Sequence, residues 1–251
     1  MRNRVRRSLA ALVYLWSFGP LGALLLIAAT AFVLAGSTSA HGSLLALCGS
    51  LSPEAAVAIL SQYVSASSPL WLAGDWLLMV LAMMPPLLSV PVTHIWRSNF
   101  KTRRPGAMTA FALGYLTIWM AAGAPLICLA LLWGLAAPGA PGVVALLLLA
   151  LLWSASPVGQ ISRNRCHKLI PINPFGAGVA RDSFRQGVLS AKWCVLSCWI
   201  WMVLPLATTA HHQATMAAVT LWLFFERLAS PRPPRWGWPP MLAAAAQIVR
   251  S

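Results

Sequence analysis

Acidic residues are nearly absent: the chain has four Asp and Glu in 251 residues, against 18 Lys and Arg. Charged residues of both signs make up 9% of it, where a soluble globular protein carries about 25%. A surface made for water cannot be built from so few. A formal charge of +14 would point to nucleic acid in a soluble chain. Here the basic residues are confined to short segments between apolar runs, the layout of topology signals, so no nucleic acid is expected as partner. Catalytic signatures are missing as well. There is no P-loop, no Gly-x-Ser-x-Gly, no His-Glu-x-x-His and no pair of carboxylates within an apolar run, so the chain does not read as an enzyme. No Cys-x-x-Cys-His marks covalent haem. The five cysteines are spread over both expected sides of a membrane and form no disulfide framework.

What the chain has is apolar length. Hydrophobic residues make up 59%, and the mean hydropathy is +0.74. In a bilayer the backbone must satisfy its own polar groups, as a helix or a closed barrel. Barrel strands alternate apolar and polar residues, whereas these runs are continuous, so the expected fold is all-α: a polytopic membrane helix bundle. Six transmembrane helices are predicted, at residues 9–36, 71–96, 107–136, 143–162, 187–209 and 214–228. The first is preceded by four arginines in eight residues and is too long for the core of a cleaved signal peptide. Lys and Arg lie at the N-terminus, after the second and fourth spans, and in the tail. The other three connections carry none, which places both termini on the cytoplasmic side of a bacterial inner membrane. Residues 1–36 thus form a first helix, 37–70 an outer periplasmic loop, 71–228 a five-helix membrane core and 229–251 a cytoplasmic or interfacial tail. The outer loop contains a short amphipathic segment at residues 53–60. Pro85 and Pro86 remove two backbone donors and are expected to kink the second span.

The informative side chains are soft metal ligands. Cys194, Cys198 and Met202 follow one another at four-residue spacing, on one face of the fifth span. Met79 and Met83 share that spacing in the second span, with Met84 next. Thiolate and thioether select Cu(I). Cys166, His167 and His94 lie towards the cytoplasmic ends, and His211 and His212 towards the outer side, together with His41 and Cys48. If the second and fifth spans are neighbours, Met83 and Met202 share a depth and a column of sulfurs crosses the membrane. Glu226 is an ionisable residue inside the sixth span, a hard ligand or proton site by one reading, an ion-pair partner by another. A bland alternative stands beside each sulfur, because buried Cys behaves as a small hydrophobe and Met fills gaps. Cys128 is read as filler.

These elements together resemble the bacterial predicted metal-binding integral membrane proteins, a family without an established activity. The resemblance rests on Asp75-Trp76 through Met79, Met83-Met84-Pro85, His94-Ile95-Trp96, Gly114-Tyr115 with Trp119, Ser156-Pro157, Cys166-His167, Trp193-Cys194, Cys198-Trp199 with Met202, and Met216 with Glu226-Arg227. Ser162 and Ser197 stand where that family usually has cysteine. His211-His212 replaces its Met-Asn, and Glu226-Arg227 its Glu-Lys. The resemblance implies a non-enzymatic membrane protein that binds or passes a copper ion to another membrane or periplasmic protein. The alternative is an accessory subunit of a larger membrane complex, without metal.

Overall fold

The computed structural model describes residues 19–38, 69–173, 175–208, 211–229, 231–239 and 241–242. The basic N-terminus, His41, Cys48 and the segment 53–60 lie outside them. The described residues form helices α1 (Pro20–Thr38), α2 (Pro69–Met83), α3 (Ser89–Ser98), α4 (Arg104–Ala136), α5 (Gly139–Ala155), α6 (Pro157–Cys166), α7 (Gly178–Ala207) and α8 (His212–Leu228). A 3-10 turn, Pro85–Leu88, joins α2 to α3.

Two expected spans are broken. Pro85 and Pro86 cannot donate to the helix before them, and α2 and α3 diverge by 54°. The fourth span was expected to run unbroken over 143–162, but it bends by 68° between α5 and α6. Pro157 disfavours helix at the preceding residue, and Ser156 starts the new helix by accepting a hydrogen bond from the Gly159 N–H at 3.0 Å. The fifth span begins nearer the N-terminus than hydropathy suggested, at Gly178. Its first turns carry Arg181, Asp182 and Arg185 and run on as helix beyond the apolar stretch.

Helix α7 is the centre of the bundle, flanked by α4, α5, α6 and α8. Its closest neighbour is α4, and small residues are the reason. A Cβ on Gly114 would collide with the Phe184 carbonyl, and one on Gly187 with the carbonyl of Phe111. Outward faces are apolar, with Leu26, Val33, Leu113, Leu132, Leu148 and Leu221 exposed. So much exposed aliphatic surface suits lipid rather than water. Three described helices are long and apolar enough to cross a membrane, and five if each bent pair counts as one span. Helix α8 has 17 residues, about 25 Å of rise against a hydrocarbon core of about 30 Å.

Arg104 lies over the Trp96 ring at 4.7 Å, and Arg165 over Trp193 at the same distance. Such cation–aromatic pairs suit the headgroup level. The tail returns to the α5–α6 bend, where Asn164 donates to the Arg232 carbonyl at 2.7 Å and Gly237 to that of Ala155 at 3.2 Å.

Candidate metal centre

Cys194 is the hub of the sulfur chemistry. Helix α7 buries Cys194, Cys198 and Met202 on its inner face, each 2% exposed or less. Four-residue spacing aligns them but does not gather them: eight residues put about 12 Å between Cys194 and Met202 along the axis. The neighbours of Cys194 come from other elements. Met84 Sδ lies 3.8 Å from its Sγ. The Tyr115 hydroxyl of α4 donates to the same sulfur at 3.4 Å, and Arg227 Nη2 of α8 at 3.5 Å.

Cys198 turns back along the helix, its Sγ 2.8 Å from the Cys194 carbonyl. Ser197 donates to that carbonyl at 2.9 Å and lies 3.9 Å from Cys166 Sγ at the end of α6. Cys166 therefore approaches the hub through Ser197, one of the two serines that replace the expected cysteines. The other, Ser162, is buried and donates to the Val158 carbonyl at 2.9 Å within its own helix.

Helix breaking assembles this group. Without Pro85 and Pro86 the second span would carry on as one cylinder. Instead Met84 lies in the break after α2 and faces α7, while α2 itself packs on α1 and α4. Thus Met84 meets Cys194. Met79 and Met83 are buried in the apolar core at 4% and 0% exposure.

The histidines and Glu226 are held elsewhere. His94 Nε2 lies 2.9 Å from the Ile170 carbonyl, fastening the loop before α7. His212 Nδ1 lies 2.8 Å from the Pro205 carbonyl. His211 is exposed at the start of α8, and about 22 Å of helix separates His212 from Arg227 at the sulfur level. His167 is half-buried beside Cys166. Burial, and then the Arg227 guanidinium, hold its imidazole below the usual range, so it is neutral at pH 7. Glu226 is 3% exposed and pairs with Arg163 at 3.6 Å. Ser154 donates to the same carboxylate oxygen, Oε2, at 3.5 Å and accepts from Trp201 Nε1 at 2.9 Å. Glu226 is thus an ion-pair partner of Arg163. Cys128 is exposed on α4.

Sequence reasoning passed over Met84, Tyr115 and Arg227 as site residues. Signals existed for two of them: a methionine directly before a double proline, and a guanidinium inside an apolar helix.

A family model described as a copper chaperone matches residues 73–249. The chain belongs to this copper chaperone family. Membership gives it a copper-related, non-enzymatic role and implies a partner protein. The match runs past the five-helix core into the tail that folds back on the α5–α6 bend. Neither the curated proteins nor the solved structures include a match. The donor set agrees in kind with a chaperone for copper, because thiol and thioether are what Cu(I) selects. Among the described residues no three His, Cys, Asp or Glu side chains converge on one point. The sulfurs in contact are a thiol and a thioether.

Proposed function

We propose that this chaperone is embedded in the bacterial inner membrane, with six spans and both termini cytoplasmic. There it holds Cu(I) on Cys194 and Met84 and passes it to a membrane or periplasmic partner. The contact between Cys194 Sγ and Met84 Sδ carries this reading. A thiolate and a thioether side by side bind a soft monovalent ion while leaving it open to exchange. Cys198, one turn along α7, and Cys166, 3.9 Å from Ser197, are the next ligands and give the ion successive stations along α7 and α6. Copper is cargo here, so a site with few firm ligands suits release. This reading leaves Met202, Met79, Met83, His94, His167, His211, His212 and Glu226 outside the holding pair. The two outer histidines would act only as exit ligands.

The test is elemental analysis of the detergent-purified chain after Cu(I) loading. Stoichiometric copper, lost in the Cys194→Ser/Cys198→Ser double variant, is the expected result. The scattered thiols favour one second reading, an accessory subunit whose cysteines only pack. It predicts a metal-free chain that co-purifies with other membrane subunits, and that outcome would replace the first reading.

A further inference from the structure

Arg227 is a costly residue in its place. It sits in the last turn of α8, its guanidinium 3.5 Å from Cys194 Sγ. Arg227 is half-buried, and a cation drawn towards an apolar interior needs a counter-charge, while the chain has only four acidic side chains. Glu226, its neighbour in sequence, is committed to Arg163. Asp182 lies beside Arg181 at 3.5 Å and accepts from the Asn173 N–H at 3.2 Å. Asp75 lies midway along α2, and Glu54 is outside the described residues. Among the described residues no carboxylate is within ion-pair distance of Arg227. What faces it is sulfur.

From this we infer that Arg227 sets the charge of the cargo, making the sulfur site selective for a monovalent over a divalent soft cation. The inference rests on the proposed copper site and specifies its discrimination. Cu(I) on Cys194 and Met84 displaces one proton from the thiol and forms a neutral unit, so with the guanidinium the local charge stays at +1. Zn(II) on the same pair carries +1, and with the guanidinium the local charge rises to +2. In a low-dielectric interior an uncompensated charge is strongly disfavoured. Donor softness already leans towards copper; the guanidinium adds a preference by charge that softness cannot supply.

The experiment uses the full chain in detergent. Competition titrations with Cu(I) and with Zn(II) compare wild type, Arg227→Gln and Arg227→Lys. The expected result is a Cu(I)-to-Zn(II) affinity ratio lowered on the order of 100-fold by Arg227→Gln and largely kept by Arg227→Lys. Arg227→Met, apolar and of similar length, replaces Gln if that variant aggregates. A ratio unchanged in the neutral variant, with Cu(I) still bound, overturns the inference and leaves the site standing. Wild type that binds no Cu(I) overturns both.

Discussion

Met84 and Met79 are both buried methionines, and sequence spacing favours Met79. Both share one buried cluster with Cys194, and Met84 Sδ lies 3.8 Å from the Cys194 sulfur. Met→Leu keeps volume and removes the sulfur lone pairs. Met84→Leu is therefore expected to weaken Cu(I) binding about tenfold, equivalent to ~1.4 kcal/mol. Met79→Leu and Met202→Leu should leave it within about twofold, as read by titration against a Cu(I) chelator. Ser197 offers the reverse experiment. Its hydroxyl lies 3.9 Å from Cys166 Sγ and belongs to the same turn as Cys194. Ser197→Cys should tighten Cu(I) binding by about tenfold or more, because a third thiol would bridge the two cysteines the serine now separates. An unchanged affinity would mean that Cys166 does not belong to the site.

At the level of elements, two proline-bearing breaks and one glycine contact assemble the site. The glycine contact is the most exposed to test. Gly187 meets the Phe111 carbonyl, a backbone atom with no rotamer to give way. Gly187→Val should destabilise the α4–α7 pair by about 3 kcal/mol or more, seen as a lowered unfolding midpoint in detergent. It should also loosen Tyr115, four residues beyond Phe111, from Cys194. Gly36, by contrast, has open space around it, and Gly36→Ala should be nearly silent. Both breaks were legible in part. A double proline announces itself, and the 54° bend follows it. The Ser156-Pro157 pair carried the same message, but hydropathy runs straight through it and an unbroken span was expected. Hydropathy averages over residues and does not register a missing backbone donor.

For the whole molecule, the Arg163–Glu226 pair ties the α5–α6 bend to α8. Arg163 also donates to the Ser154 carbonyl at 2.6 Å and to Gln160 at 3.1 Å. Removing one partner leaves an uncompensated charge in the interior, whereas removing both need not. Arg163→Met is expected to cost about 3–5 kcal/mol, and Arg163→Met with Glu226→Met to restore most of that loss. Thermal unfolding of the four proteins in one detergent checks the cycle. A double variant as unstable as the single one would show that the pair has no charge-balancing role. The same linkage positions α8, and with it Arg227 at the sulfurs.

Composition alone determined the class of this protein. With 9% charged residues and long apolar runs, helices with lipid-facing surfaces are the arrangement that satisfies the backbone. The basic segments between the runs suggested how the helices alternate, and the soft sulfurs suggested copper, in agreement with the copper chaperone family. Which sulfurs meet was decided by tertiary structure. Helical periodicity reports the face a residue occupies within one helix, so it could align Cys194, Cys198 and Met202. It carries no information on where another helix ends or how far it slides. The stop at Pro85 brought Met84 to Cys194, the Gly114–Gly187 approach brought Tyr115, and the buried pair on Arg163 turned Glu226 away from the sulfurs, leaving Arg227 beside them.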